Sequence, residues 1–325
     1  MDEKDLKLIV QIPCLNEEKT LPITVKEIPR QIEGIAKVEI LVINDGSTDN
    51  TVEVAKRCGV EHIISFTSRK GLARAFEAGL DTSLKLGADI VVNTDADNQY
   101  RGEDIKKLVK PIIDGKADIV IGNRDIEKIK DFSFLKKKLQ RIGSWVIRQV
   151  SGTDIPDATT GFRAYNKRAI LGLNVISSFS YTLETIIAAA KKQMSIANVS
   201  IRTNKELRKS RLYHNTFQYI WKSIMTIVRI YTVYEPLRVF LTIGAILFSG
   251  GFLLGLRFLY FFIFKINPGG HIQSLILAAI LLLLGFQIMV IGLMADLISS
   301  NRRLIEDTLL RIKEKEADLS RKNSK

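Results

Sequence analysis

Residues 90–99 read IVVNTDADNQ, in which a short apolar run ends at two carboxylates, Asp95 and Asp97. Similar runs, rich in Val and Ile, recur through the first 125 residues at Leu8–Ile12, Val38–Ile43, His62–Phe66 and Ile119–Ile121. Their hydrophobicity is continuous rather than alternating, which is typical of strands buried on both faces of a parallel sheet. Helical spacing fills the intervals, at Glu17–Arg30, Asp49–Cys58, Gly71–Leu86 and Glu103–Gly115. The alternation predicts an α/β fold with a mostly parallel sheet and helices on both faces.

The residues that follow each predicted strand are candidates for a site, because ligands of such sheets bind beyond the carboxyl ends of the strands. The first run leads into PCLNEE at residues 13–18 rather than a G-x-G-x-x-G turn, so the usual dinucleotide fingerprint is missing. In an extended segment, carboxylates at i and i+2 point to the same side. Asp95 and Asp97, with Gln99 two residues on and Asp45 after a neighbouring strand, therefore predict a site for Mg²⁺ or Mn²⁺. Helix capping by the same carboxylates is the alternative.

The apolar residues are concentrated near the C-terminal end of the chain. Hydrophobic residues make up 46% of it and the mean hydropathy is +0.09, although 26% of the residues are charged. Val239–Leu256 is uncharged over 18 residues and resumes after Arg257, and Ile272–Ala295 is uncharged over 24. Each run is long enough to cross a hydrocarbon core of about 30 Å, which excludes a plain soluble enzyme and predicts a two-helix transmembrane hairpin. Arg257 either reaches toward the membrane surface or faces a partner helix.

The basic residues are grouped in two strips, Arg124–Arg148 and Arg202–Arg238, within a net charge of +13. The second strip runs directly into the first apolar run, which fits anionic membrane lipids better than nucleic acid, so we expect no nucleic-acid partner. Solvated basic faces are the alternative. Because Arg238, Arg302 and Arg303 outweigh Lys265 in the connecting loop, the positive-inside rule predicts an integral membrane protein with both termini and the N-terminal domain on the cytoplasmic side.

An apolar stripe precedes the first span, at Phe217, Ile220, Trp221, Ile224, Met225, Val228 and Tyr231. The spacing predicts an amphipathic helix, which we expect to lie in the membrane surface; packing against the soluble domain is the alternative. The predicted organisation is a catalytic domain at 1–212, a juxtamembrane helix at 213–237, a hairpin at 238–298 and a basic tail at 299–325.

Six motifs resemble, in order and spacing, those of family-two glycosyltransferases of GT-A fold, of the polyprenyl-phosphate (dolichyl-phosphate) hexosyltransferase type. They are PCLNE at 13–17, DGSTD at 45–49, DADNQ at 95–99, GNR at 122–124, DATTGFRAY at 157–165 and KSRL at 209–212. The resemblance covers roughly residues 6–212 and implies a Rossmann-like GT-A domain. The family usually has G-x-S-K near the last motif, where this chain has RKSR at 208–211.

The resemblance implies a role for each motif. The donor, a nucleotide sugar, would be bound by Pro13, Leu15, Asn16, Glu17, Asp45, Lys70, Gly71, Asp95, Ala96, Arg202 and Lys209. Mg²⁺ or Mn²⁺ on the donor diphosphate would be held by Asp95, Asp97 and Gln99. The acceptor phosphate would be held by Arg124, Arg141 and Ser144, since the planar fork of arginine suits phosphate. Asp97, Arg124 and Arg141 would be the catalytic residues.

Structural roles, without any contact to a ligand, are the alternative for several of these residues. Asn16 and Glu17 could cap the first helix, and Lys70 and Lys209 could be solvated lysines. Asp157 and Arg163, in the DATTGFRAY motif, could belong to the active site or be structural.

The chemistry suits a lipid-phosphate acceptor. The sequence offers no Ser-His-Asp or Cys–His set, but a phosphate monoester, with a second pKa of about 6, is already an anionic nucleophile at pH 7. We therefore expect a metal-dependent inverting glycosyltransferase that moves a hexosyl group from GDP-mannose, UDP-glucose or UDP-N-acetylglucosamine to dolichyl or polyprenyl phosphate. Whether the chain forms a homo-oligomer is left open.

Two other functions are alternatives. A processive polysaccharide synthase shares the fold and the D-x-D motif, but the Q-x-x-R-W motif of that class is absent from this sequence. An inactive transferase-like membrane adaptor is the other, and intact Asp45, Asp95, Asp97 and Arg124 argue against it.

Overall fold

The computed structural model describes residues 6–124, 134–175, 181–204, 216–264 and 272–323. Of these, only the backbone is described at 134–142, 216–220, 222–223, 230 and 317–323. The chain divides into two compact units, one made of Met1–Ile227 with Leu309–Lys325 and the other of Val228–Thr308. The first unit contains the sheet, and the second contains most of the apolar helical segments.

The first unit is built on a sheet of seven described strands. They are β1 (Lys7–Cys14), β2 (Lys37–Asn44), β3 (His62–Ser65), β4 (Ile90–Asn93), β5 (Ile119–Arg124), β6 (Arg163–Asn166) and β7 (Ile196–Ile201). The order across the sheet is β3-β2-β1-β4-β6-β5-β7. All pairs are parallel except those of β6, which runs antiparallel to β4 and β5. The five predicted strands and the mostly parallel sheet are confirmed.

Helices connect these strands. They are α1 (Leu21–Glu27), α2 (Thr51–Arg57), α3 (Leu72–Lys85), α4 (Ile105–Ile113), α5 (Phe134–Ser151), α6 (Lys167–Gly172) and α7 (Tyr181–Lys191). Ile9 and Val10, whose side chains leave opposite faces of β1, are both fully buried, as continuous strand hydrophobicity predicts. The helix predicted from Glu17 begins instead at Leu21, because Glu17–Thr20 forms a hydrogen-bonded turn before it.

Strand polarity gathers the chemically interesting residues on one edge of the sheet. The parallel strands β1, β2, β4, β5 and β7 all end there, and the antiparallel β6 begins there. Arg163, the first residue of β6, accordingly lies opposite Asn93, the last residue of β4. The segments that follow or precede these strand ends form the candidate site.

Three further helices follow, α8 (Thr216–Tyr234), α9 (Pro236–Ile263) and α10 (Ile272–Asn323). Both α9 and the first part of α10 are long and apolar enough to cross a membrane. Only 11% and 17% of their most apolar windows are buried, which is unlike the core helix of a soluble protein. The two predicted apolar helices are therefore confirmed. α10 continues without a break past residue 299, so the predicted start of the tail does not coincide with a helix end.

Glycines bring α9 and α10 into close antiparallel contact. A Cβ built on Gly244 would lie 2.8 Å from the carbonyl oxygen of Gly285, and one on Gly251 would lie 2.9 Å from that of Ala278. Seven residues separate the two contacts on each helix, which is the spacing at which a helix returns to the same face. Small residues let helix backbones approach closely where no hydrophobic effect drives their association.

Charged residues lie near both ends of this hairpin. Arg257 is exposed, with its guanidinium carbon 5.8 Å from the centre of the Phe261 ring. At the other end, Arg302 stacks over the ring of Tyr234 at 4.9 Å, and Ser299 Oγ donates to the carbonyl oxygen of Val233 at 3.1 Å. These contacts hold the last turn of α8 against α10.

Candidate active site

The D-x-D motif forms a tight turn after β4. Asp97 Oδ1 accepts a hydrogen bond from the backbone N–H of Gln99 at 3.1 Å, and Asn98 between them has a left-handed φ of 56°. The next helical turn begins only at Gly102, so Asp97 caps a turn rather than a helix. Asp95, Asp97 and Gln99 are all half-buried.

Gly161 allows the Asp95 carboxylate to lie against the backbone. A Cβ built on Gly161 would lie 3.1 and 3.3 Å from the two carboxylate oxygens of Asp95 and 2.8 Å from the hydroxyl oxygen of Tyr181. The amide of Asn93 fixes the other side of this glycine, because Nδ2 donates to the carbonyl oxygen of Gly161 and to the Tyr181 hydroxyl, both at 2.8 Å. Asn93 and Tyr181 were not identified from the sequence, and Gly161 was included only as a member of the DATTGFRAY motif.

The donor set of this turn suits a hard divalent cation. Within the described ranges there is no group of three or more His, Cys, Asp or Glu residues that could hold a metal ion. The turn instead offers two carboxylates and the Gln99 amide oxygen. Mg²⁺ is commonly held by one or two carboxylates together with substrate phosphates and water, so this set fits a cation that also binds a diphosphate.

The PCLNE and DGSTD segments are bound to each other. The Asn16 N–H donates to Ser47 Oγ at 2.9 Å, and Asn16 Oδ1 accepts from the Thr48 N–H at 2.8 Å. The Glu17 carboxylate accepts from Thr20 Oγ1 at 2.6 Å, and the Glu17 carbonyl oxygen accepts from the Leu21 N–H at 3.0 Å. Glu17 therefore lies at the entry to α1, but its carboxylate accepts no helix N–H in these bonds and the helix has no side-chain cap, while Asn16 bonds across to the second segment.

The other residues predicted beside them are placed as follows. Pro13 lies in β1 and Leu15 directly after it, both half-buried, whereas Ala96 is buried and its carbonyl oxygen accepts from Thr24 Oγ1 at 3.1 Å. Donor binding by these residues stays a prediction.

Asp45, Lys70 and Gly71 form one structural unit. Both carboxylate oxygens of the buried Asp45 accept backbone N–H groups, from Lys70 at 2.6 Å and from Gly71 at 2.9 Å. Gly46 has a φ of 71°, and a Cβ there would lie 2.7 Å from the backbone nitrogen of Arg69, so this turn needs glycine. Asp45 thus fixes the start of α3, and its role toward a nucleotide stays a prediction.

Arg124 and Asp157 form a buried bidentate ion pair. Arg124 Nε donates to Asp157 Oδ2 at 2.7 Å, and Nη2 donates to Oδ1 at 3.1 Å and to Thr159 Oγ1 at 2.9 Å. Burial alone would raise the pKa of Asp157, but the Arg124 charge and its hydrogen bonds hold that pKa below its usual value. The guanidinium fork predicted to bind phosphate therefore has a carboxylate partner.

The remaining acceptor residues lie on α5. Ser144 is buried, and its Oγ accepts from the Ala158 N–H at 3.2 Å, so both Ser144 and Arg124 contact residues 157–161. Arg141 lies in α5, but its side chain is outside the described residues, as is all of Lys209. The acceptor roles of Arg124, Arg141 and Ser144 stay predictions.

Arg163 has a structural environment. Its side chain is fully buried and donates to the carbonyl oxygens of Ala158, Thr160 and Thr182, each at 2.8 Å, and to Thr185 Oγ1 at 2.9 Å. These bonds fix the backbone of the segment that carries Asp157 and Gly161. The structural interpretation therefore fits Arg163.

Tyr100 is a buried residue of the site that the sequence motifs did not single out. Its hydroxyl accepts from the Gly161 N–H at 3.2 Å, and its ring stacks on Phe162 with centroids 5.0 Å apart. Burial raises the pKa of Tyr100 to about 12 against the opposing effect of Arg124, so the phenol is neutral at pH 7. Its position directly after DADNQ is the one sequence signal that could have identified it.

Arg202 follows β7 and is paired with two carboxylates. Its Nη2 lies 3.1 Å from Asp104 Oδ1 and 3.1 Å from Glu103 Oε2, and its backbone N–H donates to Asp104 Oδ2 at 2.7 Å. Nearly half of the side chain is exposed, at 48%. The predicted contact of Arg202 with the donor diphosphate would therefore require its guanidinium to bind the diphosphate while it is also paired with Asp104 and Glu103.

A mostly parallel sheet with a D-x-D turn at its carboxyl edge defines the class of GT-A glycosyltransferases, and a solved structure of that class has this fold. Glucosyl-3-phosphoglycerate synthase from Mycobacterium tuberculosis, solved with Mn²⁺, UDP and glucosyl-3-phosphoglycerate, superimposes with a TM-score of 0.55. The match has 18% sequence identity and covers 70% of this chain and 80% of that one, which establishes the likeness of fold.

The sequence comparisons identify the family. The chain belongs to glycosyltransferase family 2, whose family model, Glycosyl transferase family 2, matches residues 9–172. It is 31% identical to the UDP-N-acetylglucosamine–dolichyl-phosphate N-acetylglucosaminyltransferase of Methanococcus voltae, over 62% of this chain and 87% of that protein. It is 28% identical to the polyprenol monophosphomannose synthase of Mycolicibacterium smegmatis, over 63% of this chain and 81% of that protein.

Proposed function

We propose that this protein is a membrane-bound, metal-dependent inverting glycosyltransferase that moves a hexosyl group from a nucleotide sugar to the phosphate of a polyprenyl or dolichyl lipid. The observation that carries the proposal is the D-x-D turn at the carboxyl edge of the sheet, on a chain that also has two long, exposed apolar helices. The names of the Methanococcus and Mycolicibacterium relatives, which specify dolichyl phosphate and polyprenol monophosphate, support the lipid acceptor.

The metal would be held by Asp95, Asp97 and Gln99. Bound there, Mg²⁺ or Mn²⁺ supplies positive charge to the departing nucleoside diphosphate. Structures of the fold neighbour with UDP contain Mn²⁺ or Mg²⁺, which supports either cation. Gly161 lets the Asp95 carboxylate lie close to the backbone, and the Gln99 N–H holds the Asp97 carboxylate two residues further along the same turn.

The acceptor phosphate needs cations rather than a general base. In the proposed reaction a phosphate oxygen of the lipid attacks the anomeric carbon while the bond from that carbon to the diphosphate oxygen breaks. The nucleoside diphosphate leaves from the opposite face, so the configuration inverts. Arg124 would hold the attacking phosphate by sharing its guanidinium between that anion and Asp157, and Arg141 and Ser144 of α5 would be its further contacts.

The membrane location is proposed from exposed apolar and basic residues. Along α8, the predicted stripe residues Trp221, Ile224, Met225 and Val228 are 46–56% exposed, which favours a helix lying in an anionic lipid surface over one packed on the soluble domain. Arg238, Arg302 and Arg303 flank the hairpin on the side that the positive-inside rule assigns to the cytoplasm. The catalytic domain and both termini would then be cytoplasmic.

The test is a donor screen with the full-length protein in detergent. GDP-mannose, UDP-glucose and UDP-N-acetylglucosamine are each supplied with Mn²⁺, with and without polyprenyl phosphate, and release of nucleoside diphosphate is measured. We expect release from one donor to depend on the lipid phosphate and to stop in EDTA. Formation of a sugar polymer would favour a processive synthase, and failure to release nucleoside diphosphate from any of the three donors would favour an inactive adaptor.

A further inference from the structure

The turn that carries the predicted metal ligands is bound to two distant segments through one carboxylate. Glu27, the last residue of α1, accepts a hydrogen bond at Oε1 from Asn98 Nδ2 at 3.2 Å. Its Oε2 accepts from the Gly102 N–H at 3.4 Å and from Asn204 Nδ2 at 3.3 Å. We call Glu27, Asn98, Gly102 and Asn204 the Glu27 clamp.

Asn204 binds the backbone of the turn directly, in addition to Glu27. Its backbone N–H donates to the carbonyl oxygen of Gln99 at 2.9 Å, and its side-chain Nδ2 also donates to the carbonyl oxygen of Asn98 at 3.1 Å. Thr203, one residue earlier, forms a β-bridge with Tyr100. The residues just after β7 are therefore hydrogen-bonded along the whole second half of the D-x-D turn.

The backbone of this turn has conformations that need such support. Asn98 has a left-handed φ of 56°, a region that non-glycine residues rarely adopt. Gly102 packs so closely on the end of α1 that a Cβ there would overlap the carbonyl oxygen of Glu27. Asn98 is also buried, at 5% exposure, so its side-chain bond to Glu27 is shielded from competing water.

We propose that Glu27 and Asn204 are positioning residues for the metal site, which they support by holding the turn that bears Asp95, Asp97 and Gln99. This inference rests on the proposed function, because it assumes that the turn binds a divalent cation with a nucleotide diphosphate. Neither residue touches the cation or the substrate in this proposal. They act through Asn98 and the backbone of residues 98–102.

The chemistry predicts a specific consequence for metal affinity. Mg²⁺ and Mn²⁺ need oxygen ligands at nearly fixed positions, and loss of residues that orient metal ligands typically weakens metal binding about 10- to 100-fold.

The test uses a pair of nearly isosteric substitutions and their combination. Glu27→Gln places an amide donor against the donors of Gly102 or Asn204, and Asn204→Asp places a second carboxylate against Glu27. In the double variant Glu27→Gln/Asn204→Asp, the amide at position 27 can donate to the carboxylate at position 204, which reverses the direction of the wild-type hydrogen bond. The net charge of the pair is unchanged. Glu53→Gln, on the exposed face of α2, is the control for loss of one carboxylate elsewhere.

The readout is the Mn²⁺ concentration that gives half of the maximal thermal stabilisation by UDP, and separately by GDP, in the full-length protein. We expect this concentration to rise about 10- to 100-fold in each single variant and to recover in part in the double variant. The control should match the wild type. A merely structural role would lower the melting temperature without metal but leave the Mn²⁺ concentration unchanged.

The outcomes separate this inference from the proposed function. A wild-type protein that Mn²⁺ stabilises with neither UDP nor GDP contradicts the proposed function, and the inference with it. A normal wild-type response together with unchanged Mn²⁺ dependence in the single variants contradicts the inference alone. If Glu27→Gln fails to fold, the milder Asn204→Ser carries the same test, since it removes the two Nδ2 hydrogen bonds and introduces no charge.

Discussion

Arg124 and Asp157, 33 residues apart in the chain, form a bidentate ion pair with bonds of 2.7 and 3.1 Å at the carboxyl edge of the sheet. Only 6% of the Arg124 side chain and none of the Asp157 side chain is exposed. The pair joins the end of β5 to the segment that leads into β6. It therefore has a structural role whether or not Arg124 also binds the acceptor.

Removal of one partner should destabilise the protein strongly. Asp157→Ala leaves the buried guanidinium without its carboxylate, and breaking a buried pair in this way costs about 3–5 kcal/mol. Chemical denaturation of wild type and variant measures the difference. Asp114→Ala, which removes the exposed partner of Lys110, is the control and should change stability little. Equal effects of the two substitutions would contradict a buried, stabilising pair.

Arg124→Lys tests the acceptor role separately. Lysine keeps the charge but loses the fork, and losing one charge-assisted hydrogen bond, worth about 1.5–3 kcal/mol, corresponds to about a 10- to 100-fold effect. We expect this loss in kcat/KM for the lipid phosphate, together with a lower melting temperature from the weakened pair. KM for the nucleotide sugar should stay near the wild-type value. A change confined to the melting temperature would leave Arg124 a structural residue.

Asp97→Asn should preserve the fold and abolish most transfer. The substitution keeps an oxygen that can accept the Gln99 N–H but removes one negative charge from the proposed metal site. Since a catalytic metal contributes several kcal/mol, we expect a loss of about two orders of magnitude or more, measured as initial rate with saturating donor. Full wild-type activity in excess EDTA would contradict a metal role for both Asp95 and Asp97.

Glu39 should make stability depend on pH in the acid range. Burial raises its pKa, but hydrogen bonds from Lys37, Lys7 and His62 outweigh that effect and lower the pKa from its usual 4.5 to about 2. A lowered pKa means that the carboxylate stabilises the fold above about pH 4.5 and that the contribution is lost as the pH falls toward 2. The melting-temperature gap between wild type and Glu39→Gln should therefore be widest near pH 6 and shrink by pH 3. A gap that does not change with pH would contradict this.

Gly285→Leu should disrupt the hairpin. A Cβ there would lie 2.6 Å from the backbone nitrogen of Phe248 and 2.8 Å from the carbonyl oxygen of Gly244, so the helices must separate, at a cost of about 1–3 kcal/mol or more. Gly255→Leu is the matched control, because in the described part of the chain nothing lies within 4 Å of a Cβ at that position. Melting temperature in detergent should fall for Gly285→Leu only. Equal tolerance of both would contradict the close contact between α9 and α10.

The sequence predicted the features that depend on local pattern. Continuous hydrophobicity identified β4, and the placement of Asp95 and Asp97 directly after it followed from where strands of a parallel sheet end. The antiparallel β6 was not predicted, because its pairing depends on the strands beside it rather than on its own four residues.

Long-range contacts account for the rest of what the sequence did not reveal. Nothing near Arg124 indicates that its partner is Asp157, and Arg163 is a fully buried arginine bonded largely to carbonyl oxygens, although arginine is mostly an exposed residue. Glu27 and Asn204 lie 177 residues apart and belong to no motif. The motifs predicted which segments come together at the carboxyl edge of the sheet. The hydrogen bonds between those segments could be identified only from the folded structure.

The measurement that tests the central claim most directly is mass spectrometry of the lipid product. The full-length protein is incubated with Mn²⁺ and its nucleotide sugar in the presence of either polyprenyl phosphate or polyprenol of the same chain length. The account predicts a single hexosyl group added to the phosphate-bearing lipid, joined through a phosphodiester, and no product from the alcohol, because the phosphate is the nucleophile. Glycosylation of polyprenol, or a product that carries a sugar polymer, would contradict it.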